Sequence, residues 1–322
     1  PEITSQAHQP TVLRSLHLID LMKADVEQPE YVINIKALPL GDIRPLPDGG
    51  VGLGALATNA RTAAHPLVRA RYPLLAAAIL AGGSPQVRNM ATNGGNINQR
   101  TRCHYFYDIG TVCNKREPGA GCAAIGARNR VHALLGTSPD CMAAFPSDMC
   151  VALAALDARV NLFGPGGARQ VRIRDYHCLP GRTPWVENVL RRNELVVGID
   201  LPPVSFGSHY TYLKIRESRT CAFAIISVAV GLEMEGGVIR HGRVALGGVA
   251  TRPWYVPAVE DMLRGRSPSA TLFHDVARLL LHGAVHDQGN ADRLALAPRV
   301  IQRALWQAVT GSPPCQPCAG MP

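Results

Sequence analysis

Aromatic residues are scarce in this sequence, at 5% of 322 residues. No apolar run of about 18 residues occurs, so a helix spanning a membrane is not expected. There is no G-x-S-x-G elbow and no H-E-x-x-H pair, which removes the usual hydrolase nucleophile and zinc-protease patterns. Neither G-x-G-x-x-G nor a Walker A motif occurs, so the common glycine-loop nucleotide fingerprints are missing. Residues 1–14 lack a basic end followed by an apolar core, and no secretory signal is expected there. The eleven histidines are scattered and suggest no acid/base pair. The formal charge is +9, but its cations are spread along the chain. Nucleic-acid recognition calls for a basic patch interleaved with aromatics, so no nucleic-acid partner is expected.

The chain is 47% hydrophobic and 18% charged, which is the balance of a globular protein. Its length allows two or three domains. Thirty-one glycines and 25 prolines imply many turns. Nine cysteines, an odd number, argue against a disulfide framework. Cys150, Cys178 and Cys221 sit in apolar or isolated contexts and read as plain thiols.

In chain order, 18–23 reads as a short helical stretch, 31–35 as a strand, 51–58 as a small-residue strand, and 66–80 as one helix. A short apolar helix is expected over 149–156. Strands are expected at 158–163, 170–173 and 195–201, and the Pro202-Pro203 pair ends the last of them. Beyond it, 210–215, 222–234 and 238–250 read as three antiparallel strands, with Glu235-Gly236-Gly237 turning the last pair. Helices over 269–281, capped at Ser267 or Ser269, and 293–309 follow. The tail, 311–322, is rich in proline and contains Cys315 and Cys318.

Residues 91–148 carry the chemistry. Thr92-Asn93-Gly94-Gly95-Asn96 is a glycine turn with polar flanks, suited to the approach of a phosphate. Cys103, Cys113, Cys122 and Cys141 follow with spacings of nine, eight and 18 residues. Zinc sites usually show two close cysteine pairs, which are absent from this segment. Spacing alone leaves an iron–sulfur cluster, a zinc ion and free thiols all open. Arg100, Arg102, Lys115 and Arg116 lie among the cysteines, where they would offset thiolate charge or meet an acidic partner.

These stretches resemble the FAD-binding medium subunits of the molybdenum hydroxylases, the xanthine dehydrogenase and aldehyde oxidase family. The segment from Val87 through Thr92-Asn93-Gly94-Gly95-Asn96-Ile97 is similar to the family's T-I-G-G-N segment. Pro146-Ser147-Asp148-Met149 resembles its S-D segment. Lys214-Ile215-Arg216, the run from Ala222 to Ala229, and Arg243 to Ala250 resemble its later strands. The resemblance covers roughly residues 18–310.

The resemblance implies an α+β fold. An FAD-binding domain of the vanillyl-alcohol oxidase-like type would span 1–203, and a C-terminal domain with a three-stranded antiparallel sheet and helices would span 204–310. It implies FAD held by Leu18, Thr92, Asn93, Gly94, Gly95, Asn96, Asp148 and Lys214. The cysteine segment, an insertion over 99–145, looks most like the branch that carries a 4Fe–4S cluster. Cys103, Cys113, Cys122 and Cys141 would be its ligands, as in periplasmic-type aldehyde oxidoreductase. The implied partners are a small 2Fe–2S subunit and a large molybdopterin subunit in a heterotrimer, with electrons passing through FAD to an external acceptor. The family's earlier A-G-G-T-N flavin loop has no counterpart: Leu13-Arg14-Ser15-Leu16-His17 stands there without a glycine. The competing expectation is a metal-stapled interaction subunit with a degenerate flavin site.

Overall fold

The computed structural model describes residues 16–204, 206–217, 223–286 and 289–311. Helix α1 (Leu16–Lys23) precedes a hairpin of β1 (Ile43–Pro45) and β2 (Val51–Gly54). Seven helices follow: α2 (Asn59–Ala64), α3 (Pro66–Arg71), α4 (Pro73–Ala81), α5 (Pro85–Met90), α6 (Asn93–Ile97), α7 (His104–Tyr107) and α8 (Asp148–Ala155). Next come β3 (Arg159–Gly164), β4 (Gly167–Arg172), α9 (Ile173–Tyr176) and β5 (Leu195–Leu201). The remaining elements are β6 (Tyr210–Ile215), β7 (Ile226–Glu235), β8 (Val238–Gly247), β9 (Trp254–Tyr255), α10 (Ala258–Leu263), α11 (Ala270–Leu280) and α12 (Ala291–Thr310).

Two antiparallel sheets result. The first has strand order β1-β2-β5-β3-β4, and the second β6-β7-β8-β9. In β7 every residue from Ile226 to Leu232 is buried. Side chains alternate across a strand, so burial of the whole run means that both faces are covered. Val228 and Val230 pack with Val276, Ile301 and Leu305 from α11 and α12. Ala229 and Ala245 face the other way, into the core built around α4 and α8. Those two helices are apolar on all sides, as helices between layers must be. Gly247 lets α8 approach: a Cβ there would lie 2.4 Å from the Val151 side chain.

Several expected elements take a different form. Residues 66–80 are two helices, because Pro73 has no N–H to continue the first. Tyr72 marks the break and sends its buried hydroxyl to the carbonyls of Leu201 and Pro202 at 3.2 and 3.0 Å. Residues 31–35 form no strand; Val32 makes a single bridge, and Tyr31, Val32 and Ile33 are exposed. The C-terminal sheet gains a fourth strand where Trp254 and Tyr255 pair with Leu246 and Ala245. The turn between β7 and β8 places both Gly236 and Gly237 at positive φ, the mirror-image turn that suits a two-residue hairpin. Cys221, Cys315, Cys318 and most of the Leu13–His17 loop lie outside the described residues.

Candidate functional site

The glycine turn folds into one turn of helix, α6. Thr92 caps it, its Oγ1 accepting from the Gly95 N–H at 3.3 Å. Asn93 is fully buried and turned inward. Its Oδ1 accepts from Asn59 Nδ2 (3.1 Å) and Thr62 Oγ1 (3.0 Å), and its Nδ2 donates to the Gly54 carbonyl (3.2 Å). Gly94 lies against the end of β2: its N–H donates to the Ala55 carbonyl at 2.8 Å, and a Cβ would sit 3.1 Å from the Ala55 methyl. Asn93 and Gly94 therefore hold the turn in place, while Thr92, Gly95 and Asn96 face a cavity of about 420 Å³.

Asn96 connects the turn to the start of α8. Its Oδ1 accepts from the Ser147 hydroxyl at 2.6 Å, and Ser147 Oγ in turn caps α8 by accepting from the Cys150 N–H at 3.0 Å. Asp148, the first residue of that helix, is clasped by the second sheet. Tyr212 Oη donates to Asp148 Oδ1 at 2.6 Å, and Lys214 Nζ donates to Oδ2 at 2.8 Å and to the Ala81 carbonyl at 3.1 Å. Burial, joined by the charge of Asp148, raises the Tyr212 phenol well above its ordinary range. Tyr212 was legible in principle, since it lies two residues from Lys214 on the same face of β6.

A second cavity, of about 470 Å³, adjoins the first. Arg102, Pro146, Ser147, Asp148 and Phe223 line both, so the two form one continuous hollow. Arg102 stacks over Phe223 at the junction, 5.4 Å from the ring centroid. Asp20 of α1 reaches the first cavity, whereas Leu18, on the same helix, is buried at 4% exposure. Arg102, Phe223 and Arg293 are wall residues not among the expected site residues.

The cysteine segment has little regular structure and is held by polar side chains. Asn114 is its hub: Oδ1 accepts from the N–H groups of Gly119 (3.1 Å) and Gly121 (2.9 Å), and Nδ2 donates to the Asp140 carbonyl (3.0 Å). Lys115 pairs with Glu187 at 2.9 Å, and Arg100 bridges Glu187 and Glu27. Burial alone would raise the Glu187 carboxyl, but Arg100 and Lys115 bring it down to about 2.

Cys103, Cys113 and Cys141 share one buried cluster, and Cys122 pairs with Cys113 across a strand bridge. All four are free thiols. Burial pushes Cys103 up to about 12 and Cys141 up to about 11, with neighbouring cysteines adding to each rise. His132 Nε2 lies 3.1 Å from Cys103 Sγ, and the Ala143 N–H donates to Cys141 Sγ at 3.5 Å. Among the described residues, no three metal-binding side chains lie close enough together to hold a single ion. Among the same residues, no helix is long and apolar enough to cross a membrane.

Residues 5–204 match the FAD binding domain in molybdopterin dehydrogenase, and residues 210–304 match the CO dehydrogenase flavoprotein C-terminal domain. The aldehyde oxidoreductase FAD-binding subunit PaoB of Escherichia coli K12 is 42% identical over 91% of this chain and 89% of its own. The glyceraldehyde dehydrogenase medium chain of Sulfolobus acidocaldarius is 26% identical over 81% of this chain and 75% of its own. In fold, a chain of the Cu,Mo-CO dehydrogenase crystal structure matches with a TM-score of 0.71 at 23% identity, over 94% of this chain and 90% of that one.

Proposed function

The chain belongs to the FAD-binding medium subunits of the molybdenum hydroxylases, and we propose that it transfers electrons within an aldehyde-oxidising member of that family. The observation that carries this reading is the continuous two-part hollow walled by the glycine turn and the Asp148–Lys214 pair. Its two parts suit an extended dinucleotide better than a compact ligand. When bound, FAD supplies the redox chemistry, and the protein supplies binding, orientation and electrostatics.

Thr92, Gly95 and Asn96 would face the pyrophosphate, with Arg88 of α5 on the same wall. Asn93 and Gly94 would act one step back, by fixing the turn. Tyr212 and Lys214 each donate to one oxygen of the Asp148 carboxylate and fix its orientation, leaving a lone pair on each oxygen for a ligand. Phe223 and Arg102 would close over the junction of the two cavities. The two matched regions support a division near residue 203 between the flavin domain and the C-terminal domain.

For the cysteine segment the reading is a 4Fe–4S cluster on Cys103, Cys113, Cys122 and Cys141. The shared burial of Cys103, Cys113 and Cys141, with Cys122 bridged to Cys113, supports it, as do the Ala143 N–H on Cys141 and the neighbouring cations, which suit a negatively charged thiolate cluster. Partner subunits carrying molybdopterin and 2Fe–2S centres would oxidise the aldehyde and deliver the electrons. The identity to an aldehyde oxidoreductase subunit supports that assignment. The purified chain is expected to show flavin absorption over a broad iron–sulfur shoulder; a colourless preparation with stoichiometric zinc would overturn the reading. Cys113→Ser should lower the iron content while Cys178→Ser leaves it unchanged, and equal iron in both would refute the ligand set.

A further inference from the structure

His132 is a buried imidazole that the flavin reading leaves without a task. It is only 1% exposed, and its Nε2 lies 3.1 Å from Cys103 Sγ. The backbone around it is pinned. The His132 N–H donates to the Asn129 carbonyl at 2.9 Å, the Ala133 N–H to the Met142 carbonyl at 2.8 Å, and the Leu134 N–H to the Val249 carbonyl at 2.8 Å. The His132 carbonyl accepts from Arg293, a side chain in the first turn of α12 that is 4% exposed. That guanidinium also donates to the carbonyls of Arg130 at 3.3 Å, Ile225 at 2.5 Å and Gly248. One buried arginine thus ties the cysteine segment to the entry of β7 and the corner after β8. The rings of His104 and Tyr105 pack near the imidazole, with centroids 5.5 and 6.0 Å away. Backbone and ring are both held, so Nε2 stays on the sulfur.

A free thiol can donate or accept, so in the unloaded chain this pair can run in either direction. Ligation removes the choice. When the Cys103 sulfur bonds iron, its S–H bond breaks and the proton passes to solvent. The sulfur is then an acceptor alone, and Nε2 must carry the hydrogen. An N–H aimed at a cluster sulfur offsets negative charge there, and that charge is greater once an electron has been added. The hydrogen bond therefore favours the reduced cluster.

We propose that His132 donates its Nε2–H to the Cys103 sulfur of the 4Fe–4S cluster and raises the cluster's reduction potential. This rests on the reading that Cys103, Cys113, Cys122 and Cys141 hold that cluster, and it is independent of which end of FAD enters which cavity.

The test is a redox titration of the full-length, cluster-loaded chain at a single pH. Dithionite supplies the electrons, and the EPR signal of the reduced cluster reports the potential. The wild type is compared with His132→Gln, whose side-chain amide can donate from a similar position, and with His132→Phe, which has no donor. His132→Gln should stay close to the wild type, and His132→Phe should keep its iron and shift to a lower potential. A His132→Phe chain with full iron and the wild-type potential overturns the proposal. A second measurement serves where His132→Phe fails to fold or to load. With isotope-labelled histidine, the reduced wild-type cluster should show a weak coupling to a histidine nitrogen, and His132→Gln should lose it. A wild type without that coupling overturns the proposal, as does a coupling that survives in His132→Gln. A wild-type chain that takes up no iron and sulfide overturns the cluster reading itself.

Discussion

The glycine turn and the cysteine segment are neighbours in sequence, and charge takes part in holding only the second. Around the turn, neutral side chains bond to one another: Asn59, Thr62, Asn93, Asn96 and Ser147 form one network. Around the cysteines, charges join the Asn114 hub: Arg100 and Lys115 meet Glu27 and Glu187, while Arg116 donates to the carbonyls of Tyr105 and Phe106. A neutral amide network can stand between two regular elements because each member has its partners within reach. A segment with little helix or strand to satisfy its backbone draws on long cationic side chains that span it. The charges also suit a thiolate-lined pocket, where a surplus of cations lowers the cost of negative sulfur.

Substitutions can break or sharpen that contrast. The largest effect is expected at the clasp beside both regions. Lys214→Met leaves a buried Asp148 carboxylate without its cation, and losing one member of such a pair costs roughly 3–5 kcal/mol. Chemical denaturation should read this directly, and FAD retention should fall with it; unchanged stability would mean that the carboxylate finds solvent. Next are two asparagines of equal size, one from each region. Asn93→Ala and Asn114→Ala each strand buried partners, at about 1–3 kcal/mol per unsatisfied group. Asn93→Ala should lower FAD content with iron retained, and Asn114→Ala should do the reverse. If both variants lose both cofactors together, the two networks are one.

The smallest effect is the acid response. The folded-state carboxyl of Glu187 lies near 2, below its ordinary value, so its contribution is present at neutral pH. It is lost as pH falls from the ordinary carboxylate range towards 2, because the unfolded chain then takes up the proton first. Glu187→Gln should be less stable at neutral pH and show a flatter decline over that window in a denaturation series. A decline as steep as that of the wild type would remove Glu187 from the account.

How much of this was legible in the sequence follows the range of the interactions. β5 and β6 begin and end where their residues suggest, at Leu195–Leu201 and Tyr210–Ile215, because proline and glycine punctuate both. Ser269 caps α11 as its hydroxyl suggests. The break at Tyr72 was also local, written in Pro73, but the apolar periodicity on either side masked it. The two-residue strand β9 is too short to carry a pattern. Among the site residues, the glycine turn and Asp148 come with local motifs. Arg293 does not: its four carbonyl partners lie 45 to 163 residues away. A lone arginine in an amphipathic helix gives no sign of such a cage.

The Asp148–Lys214 pair also bears on the order in which the protein is made. The two residues are 66 positions apart. During synthesis the carboxylate leaves the ribosome well before its lysine and its tyrosine, and α8 stays without its second sheet until β6 to β8 have followed. A chain halted near residue 200 would present the glycine turn and the start of α8, but with an unclasped acid and an uncovered apolar helix. A product that stops near residue 200 is therefore expected to remain apo and open to proteases.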